Sequence, residues 1–133
     1  MREIIATELF YLTLSTGLCI LLWIPYILVR IQTQGMAGAM GYPENPAAPT
    51  GWAARSERVH MNMVENLAPF AALVLVAHVL GVSTELTVLG ATLFFWGRVA
   101  HAVVFTFGIP YLRTITFAVS WVGMILIAVE LLF

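Results

Sequence analysis

From Leu9 to Val29 the chain carries no charged residue. A helix that crosses a bilayer needs about 20 mostly apolar residues, and this run supplies them. It is too long for the core of a signal peptide, and no small-residue cleavage site follows, so it reads as a retained span. Pro25, near its end, predicts a kink or loosened last turns. Three further runs are similar. With 61% of 133 residues hydrophobic and 10% charged, the chain has more apolar surface than a soluble core of this length can hide. The composition excludes a soluble globular domain, and also disorder, which needs low hydrophobicity. The expected fold is all-α, an integral membrane four-helix bundle.

The chain divides accordingly. Helices are expected over about 6–30, 54–80, 85–107 and 111–133, in a single domain spanning 1–133. Between the first two, residues 31–53 hold Gly35, Gly38, Gly41, Pro43, Pro46, Pro49 and Gly51, which predict a long loop of turns. Such loops often carry function or cover a neighbour. The other connections are tight, Gly81–Thr84 and Gly108–Pro110. Arg30, Arg55, Arg58 and Arg113 fall on the side of loops 1 and 3, against Arg2 alone on the other. The positive-inside rule then makes both loops cytoplasmic.

All six cations are Arg and all seven acids are Glu. Arg suits buried pairs and forked recognition of carboxylates. A net charge of −1 provides no basic field for nucleic acid. The single cysteine, Cys19, lies in an apolar run and permits no intrachain disulfide. His60 and His101 do not share a face with further ligands at metal spacing, so no metal site is expected.

The polar residues that remain are informative because lipid makes them expensive. Arg58, Asn62, Glu65 and Pro69 repeat at helical spacing and form one stripe on the second span. Glu65 lies about 15 Å from the helix start and Arg98 about 13 Å from the same surface on the antiparallel third span. A charge at that depth costs at least ~2.5 kcal/mol unless it is paired. A Glu65–Arg98 ion pair is therefore expected. His101 follows Arg98 at i+3, and Arg113 opens the fourth span, where the helix end is itself positive. An Arg at that end makes sense if an anion binds beside it. Arg30, closing the first span, adds another forked donor. The set suits a small, multiply anionic, peptide-like ligand.

Two stretches carry a family resemblance. The segment from Glu57 to Phe70 contains Arg58, Asn62, Glu65 and Pro69 as R-x-x-x-N-x-x-E-x-x-x-P. The second contains Gly97-Arg98-Val99-Ala100-His101, then Gly108-Ile109-Pro110-Tyr111-Leu112-Arg113-Thr114. In these the sequence resembles the MAPEG family, the membrane-associated proteins in eicosanoid and glutathione metabolism, in a bacterial-type member, which implies the bacterial inner membrane as the location. The resemblance is strongest over residues 52–120. It implies a homotrimer of four-helix protomers that binds glutathione as co-substrate between subunits and takes lipophilic substrates from membrane lipid. It assigns Arg58, Asn62, Glu65 and Arg98 to glutathione, with Arg30, His101 and Thr114 as further candidates. Arg113 would stabilise the thiolate, the nucleophilic form of a thiol.

The expected function is a glutathione-dependent transferase or peroxidase acting on hydrophobic electrophiles. Phe105 and Phe117 stand where catalytic members often carry Tyr, and Phe has no donor. The alternative is therefore a non-catalytic trimer that binds lipid or a partner. A small proton-coupled exporter is a third reading. It would need a lone titrating Glu65, and the surrounding arginines argue against that.

Overall fold

The computed structural model describes residues 5–133, which places Arg2 of the orientation argument outside the described residues. The described chain is helical: α1 (Thr7–Leu21), α2 (Ile24–Met40), α3 (Gly51–Val79), α4 (Glu85–Thr106) and α5 (Leu112–Leu132). α1 and α2 together form the first of four segments long and apolar enough to span a membrane. They part at Leu22 and Trp23. The cause is Pro25, whose missing N–H cannot bond the carbonyl one turn earlier.

The first interhelical loop is shorter than the expected 31–53. Helix continues past Arg30 to Met40, and the connection covers only residues 41–50. Of the glycines read as turns, only Gly35 leaves helical geometry within α2, at φ 72° and ψ 169°. Gly38 stays helical because Gln, Met and Ala around it are good helix formers that outweigh one glycine. Gln34 Nε2 donates to the Ala47 carbonyl at 3.3 Å and ties the loop back to α2.

The spans alternate in direction. Glu8, in the first turn of α1, bonds Ser83 and Thr87 at the α3–α4 turn. At the other end, Tyr26 of α2 meets His60 of α3. The loop over 41–50 and the turn over 107–111 therefore share one end of the bundle.

The core comes from one stripe each of α3, α4 and α5, with α1 packed against it and no buried residue from α2. Val59, Met63, Phe70, Val74 and Ala77 of α3 are buried, and Phe70 stacks on Phe94 of α4 at 3.8 Å between ring centroids. Such aromatic pairs add about 0.5–1.5 kcal/mol beyond burial. Leu75, Val76, Val79, Trp96 and Ile115 point outward instead, as side chains facing lipid do.

α4 and α5 approach most closely through small residues. A Cβ on Gly90 would stand 2.5 Å from the Gly123 carbonyl oxygen, and one on Gly97 would stand 2.9 Å from the Ser120 nitrogen. Backbone cannot yield as a flexible side chain can, and membrane helices use small residues for such contacts. Gly123→Ala would also push a methyl to 2.9 Å from the Phe94 nitrogen. It is expected to destabilise by about 1–3 kcal/mol, seen as a lower unfolding temperature in detergent.

Candidate functional site

Arg98 is the largest fully buried side chain, at 1% exposure. α4 carries it inward opposite α3, where its Nη2 donates to Asn62 Oδ1 at 2.6 Å. The Asn66 amide donates to the Asn62 carbonyl at 2.9 Å and to Asn62 Oδ1 at 3.4 Å. Those contacts orient Asn62 with its oxygen toward the guanidinium. Arg98 Nε and Nη1 are buried without a hydrogen-bond partner among the described residues.

The expected Glu65–Arg98 pair does not form within the chain. Glu65 is exposed, as are Arg58 and Pro69 of the same stripe. Depth along the two helices matches, but direction around α3 does not. Three residues at 3.6 per turn leave Glu65 rotated about 60° from Asn62, on the face turned away from α4. Asn62, at the edge of that face, reaches Arg98 in its place.

Below Arg98 on α4, His101 is buried at 3% exposure, with Nδ1 unpartnered. Its ring lies 5.4 Å from Phe105 and 6.1 Å from Phe117 between centroids. The two phenyl rings in turn carry cations. Arg98 Cζ lies 5.8 Å from the Phe117 centroid, and Arg113 Cζ lies 5.2 Å from that of Phe105. Each contact contributes about 0.5–2 kcal/mol according to its exposure. Phe105 and Phe117 thus act as platforms for guanidinium groups.

Arg113 stands exposed in the first turn of α5. The turn before it is strained. Tyr111 has φ 67° and ψ −49°, and Leu112 N donates to the Pro110 carbonyl at 2.8 Å. That is a γ-turn of the rare positive-φ kind. The N–H groups of Thr114 and Ile115 both donate to the Tyr111 carbonyl. The positive character of this corner therefore rests on the guanidinium and the helix dipole, with those amides already used. Strain of this sort costs about 1–3 kcal/mol and collects at functional sites. Tyr111 is 83% exposed and loses little packing on replacement. Tyr111→Gly is expected to raise stability by about 1 kcal/mol while loosening the start of α5. An unfolding temperature that falls would contradict this.

A cleft of about 320 Å³ opens at this end, lined by Arg55, Arg58, Phe105, Gly108, Ile109, Pro110 and Arg113. It holds three guanidinium groups and no carboxylate. Its chemistry is that of an anion receptor facing the end of the bundle, with the donors of Arg98 deeper in the protein.

A sequence model of the MAPEG family matches residues 9–133. The chain belongs to the MAPEG family. A search of curated proteins finds no match. Family membership and four membrane-competent helices make this MAPEG protein an integral membrane protein.

Of the expected site residues in this MAPEG chain, the protomer gathers Arg58 with Arg113, and Asn62 with Arg98 and His101. Thr114 is exposed beside Arg113 but does not line the cleft. Glu65 faces outward. Arg30 lines a separate cavity of about 220 Å³ between α2, the 41–50 loop and Glu57 of α3.

Arg55, which in the sequence bears only on orientation, belongs to the cleft. Its Nε donates to the Thr106 carbonyl at 3.0 Å, capping the C-terminal end of α4, and its guanidinium lies against Gly108. The signal was present, since Arg55 precedes Arg58 at i, i+3 on one face. The Tyr26 hydroxyl contact with His60 Nδ1 at 2.7 Å had no sequence signal. Among the described residues no group of His, Cys, Asp or Glu could hold a metal ion.

Proposed function

We propose that this MAPEG protein is a glutathione-dependent transferase or peroxidase acting on hydrophobic electrophiles. The observation that carries the reading is the acid-free cleft of Arg55, Arg58 and Arg113 at the start of α5. Glutathione bears two carboxylates and a thiol. The forked donors of Arg58, and the free Nε and Nη1 of Arg98 behind Asn62, suit those carboxylates. Glu65 suits the ammonium group. Arg113, with the positive end of α5, favours the thiolate over the thiol. The thiolate sulfur then attacks an electrophilic carbon and the leaving group departs with its electron pair. Alternatively it attacks the terminal oxygen of a hydroperoxide: the O–O bond breaks, the alkoxide leaves with its electron pair and takes up a proton, and a second glutathione thiol displaces water from the resulting sulfenic acid to give glutathione disulfide. The outward apolar faces supply a route for substrates from the bilayer.

Glu65 and Pro69, on the same stripe of α3 as Arg58, are exposed and outside the arginine cleft. That supports a site completed by a neighbouring copy, and we assign a homotrimer with glutathione between subunits. Arg30 joins the site across that boundary. The loop end of the bundle is cytoplasmic in this reading.

A second reading has a specific observation behind it. Phe105 and Phe117 place no hydroxyl where a donor to sulfur is common in the family, and both rings are occupied by cation contacts. A non-catalytic trimer that binds lipid or a partner follows from that. Conjugation of a generic aromatic electrophile by the purified protein separates the two. Turnover that requires both protein and glutathione supports the transferase. Glutathione binding without turnover supports the second reading.

A further inference from the structure

Glu8 is 4% exposed near the end of the bundle opposite the arginine cleft. Its Oε1 accepts hydrogen bonds from Ser83 Oγ at 2.8 Å and from Thr87 Oγ1 at 2.6 Å. Its Oε2 is buried with no hydrogen-bond partner among the described residues. A carboxylate that served only to staple α1 to the α3–α4 turn would gain by using both oxygens, since a buried unmet acceptor costs free energy. Glu8 sits in the first turn of α1, and Thr87 in the first turn of α4. Both helix ends favour negative charge there.

The same side chain lines a cavity of about 220 Å³ between the start of α1 and the end of α3. Its walls are mostly apolar, with Leu9, Val74, Ala77 and Val82, and its other polar members are Ser83 and His78. His78 is exposed and lies in the last turn of α3, where the dipole favours cations. A buried acceptor, an apolar wall and a helix C-terminus together select a cation that donates hydrogen bonds and carries an apolar body.

We propose that this cavity binds the primary ammonium group of an amphipathic molecule, with the Glu8 carboxylate as its acceptor. The ammonium belongs either to an aminophospholipid headgroup or to a free amphipathic amine.

The test uses the full chain purified in detergent and native mass spectrometry. Phosphatidylethanolamine and phosphatidylcholine of equal acyl chains are offered together, and dodecylamine and dodecyltrimethylammonium are offered separately. A quaternary ammonium cannot donate a hydrogen bond. The primary amine is expected to be preferred on the order of tenfold, as loss of one charge-assisted bond implies. Glu8→Gln keeps an oxygen for Ser83 and Thr87 and turns the other atom into a donor, so the preference should vanish. Val82→Phe fills the cavity without touching the carboxylate and should abolish binding of the primary amines. A Glu8-dependent preference in the lipid pair assigns the headgroup source, and one confined to dodecylamine assigns the free amine. Equal binding of primary and quaternary amines in both pairs, or a preference that survives in Glu8→Gln, overturns the proposal.

Discussion

Arg113→Ala is expected to lower kcat for glutathione conjugation by about 100-fold, with a much smaller change in glutathione affinity. Removing one group aimed at developing or held charge costs on the order of 100- to 1000-fold in kcat. Arg113 lies at the positive end of α5, over the Phe105 ring, in a cleft that contains no acid to oppose it. Arg58 and Arg55 line the same cleft and remain in the variant, so carboxylate binding survives. Arg113→Lys keeps the charge but loses the planar fork and much of the stacking on Phe105, and an intermediate rate is expected. Arg58→Ala should raise KM with a smaller effect on kcat. Full turnover in Arg113→Ala would refute the thiolate role. A glutathione Kd raised as much as kcat falls would make Arg113 a binding residue only.

Asn62→Leu is expected to destabilise the protein by about 3 kcal/mol. Arg98 is buried at 1% exposure, and among the described residues its one hydrogen bond to a side chain is to Asn62 Oδ1 at 2.6 Å. Asn62 is neutral, so its removal breaks no ion pair but leaves a buried charged donor unmet, which costs about 1–3 kcal/mol, and more for a charged group. Replacing both partners with apolar groups is often close to neutral. The double variant Asn62→Leu, Arg98→Met should therefore recover most of the stability that Asn62→Leu loses. The same double variant should fail to bind glutathione. Unfolding temperatures in detergent for the two single variants and the double variant decide the matter. If the losses simply add, Arg98 and Asn62 act independently, and the stranded-charge account is wrong.

The spans were legible because hydropathy over about 20 residues has few competing explanations. Pro25 was legible for the same kind of reason, since a missing N–H acts wherever it sits, and the helix parts at Leu22 and Trp23. The loop over 31–53 was read too long. Glycine spacing resembles a run of turns, yet of its four glycines only Gly35 and Gly51 take a conformation that other residues avoid. Partners were harder than elements. Residue count sets depth along a helix well, but the facing direction depends on how two helices are rotated against each other. That is why Glu65 and Arg98 matched in depth and still do not meet. Glu8 has no sequence signal, since one acid at the start of an apolar run looks like an ordinary helix beginning. Its burial depends on Ser83 and Thr87, which are distant in sequence.

Whether the arginine end of the bundle receives glutathione is decided by equilibrium binding of glutathione to the purified protein in detergent, without any electrophile. Saturable binding at or below millimolar concentration is predicted, weakened about tenfold in Arg58→Ala by loss of one charge-assisted contact. Absence of saturable binding at millimolar glutathione, or binding that Arg58→Ala and the Asn62→Leu, Arg98→Met double variant leave unchanged, would contradict glutathione binding there.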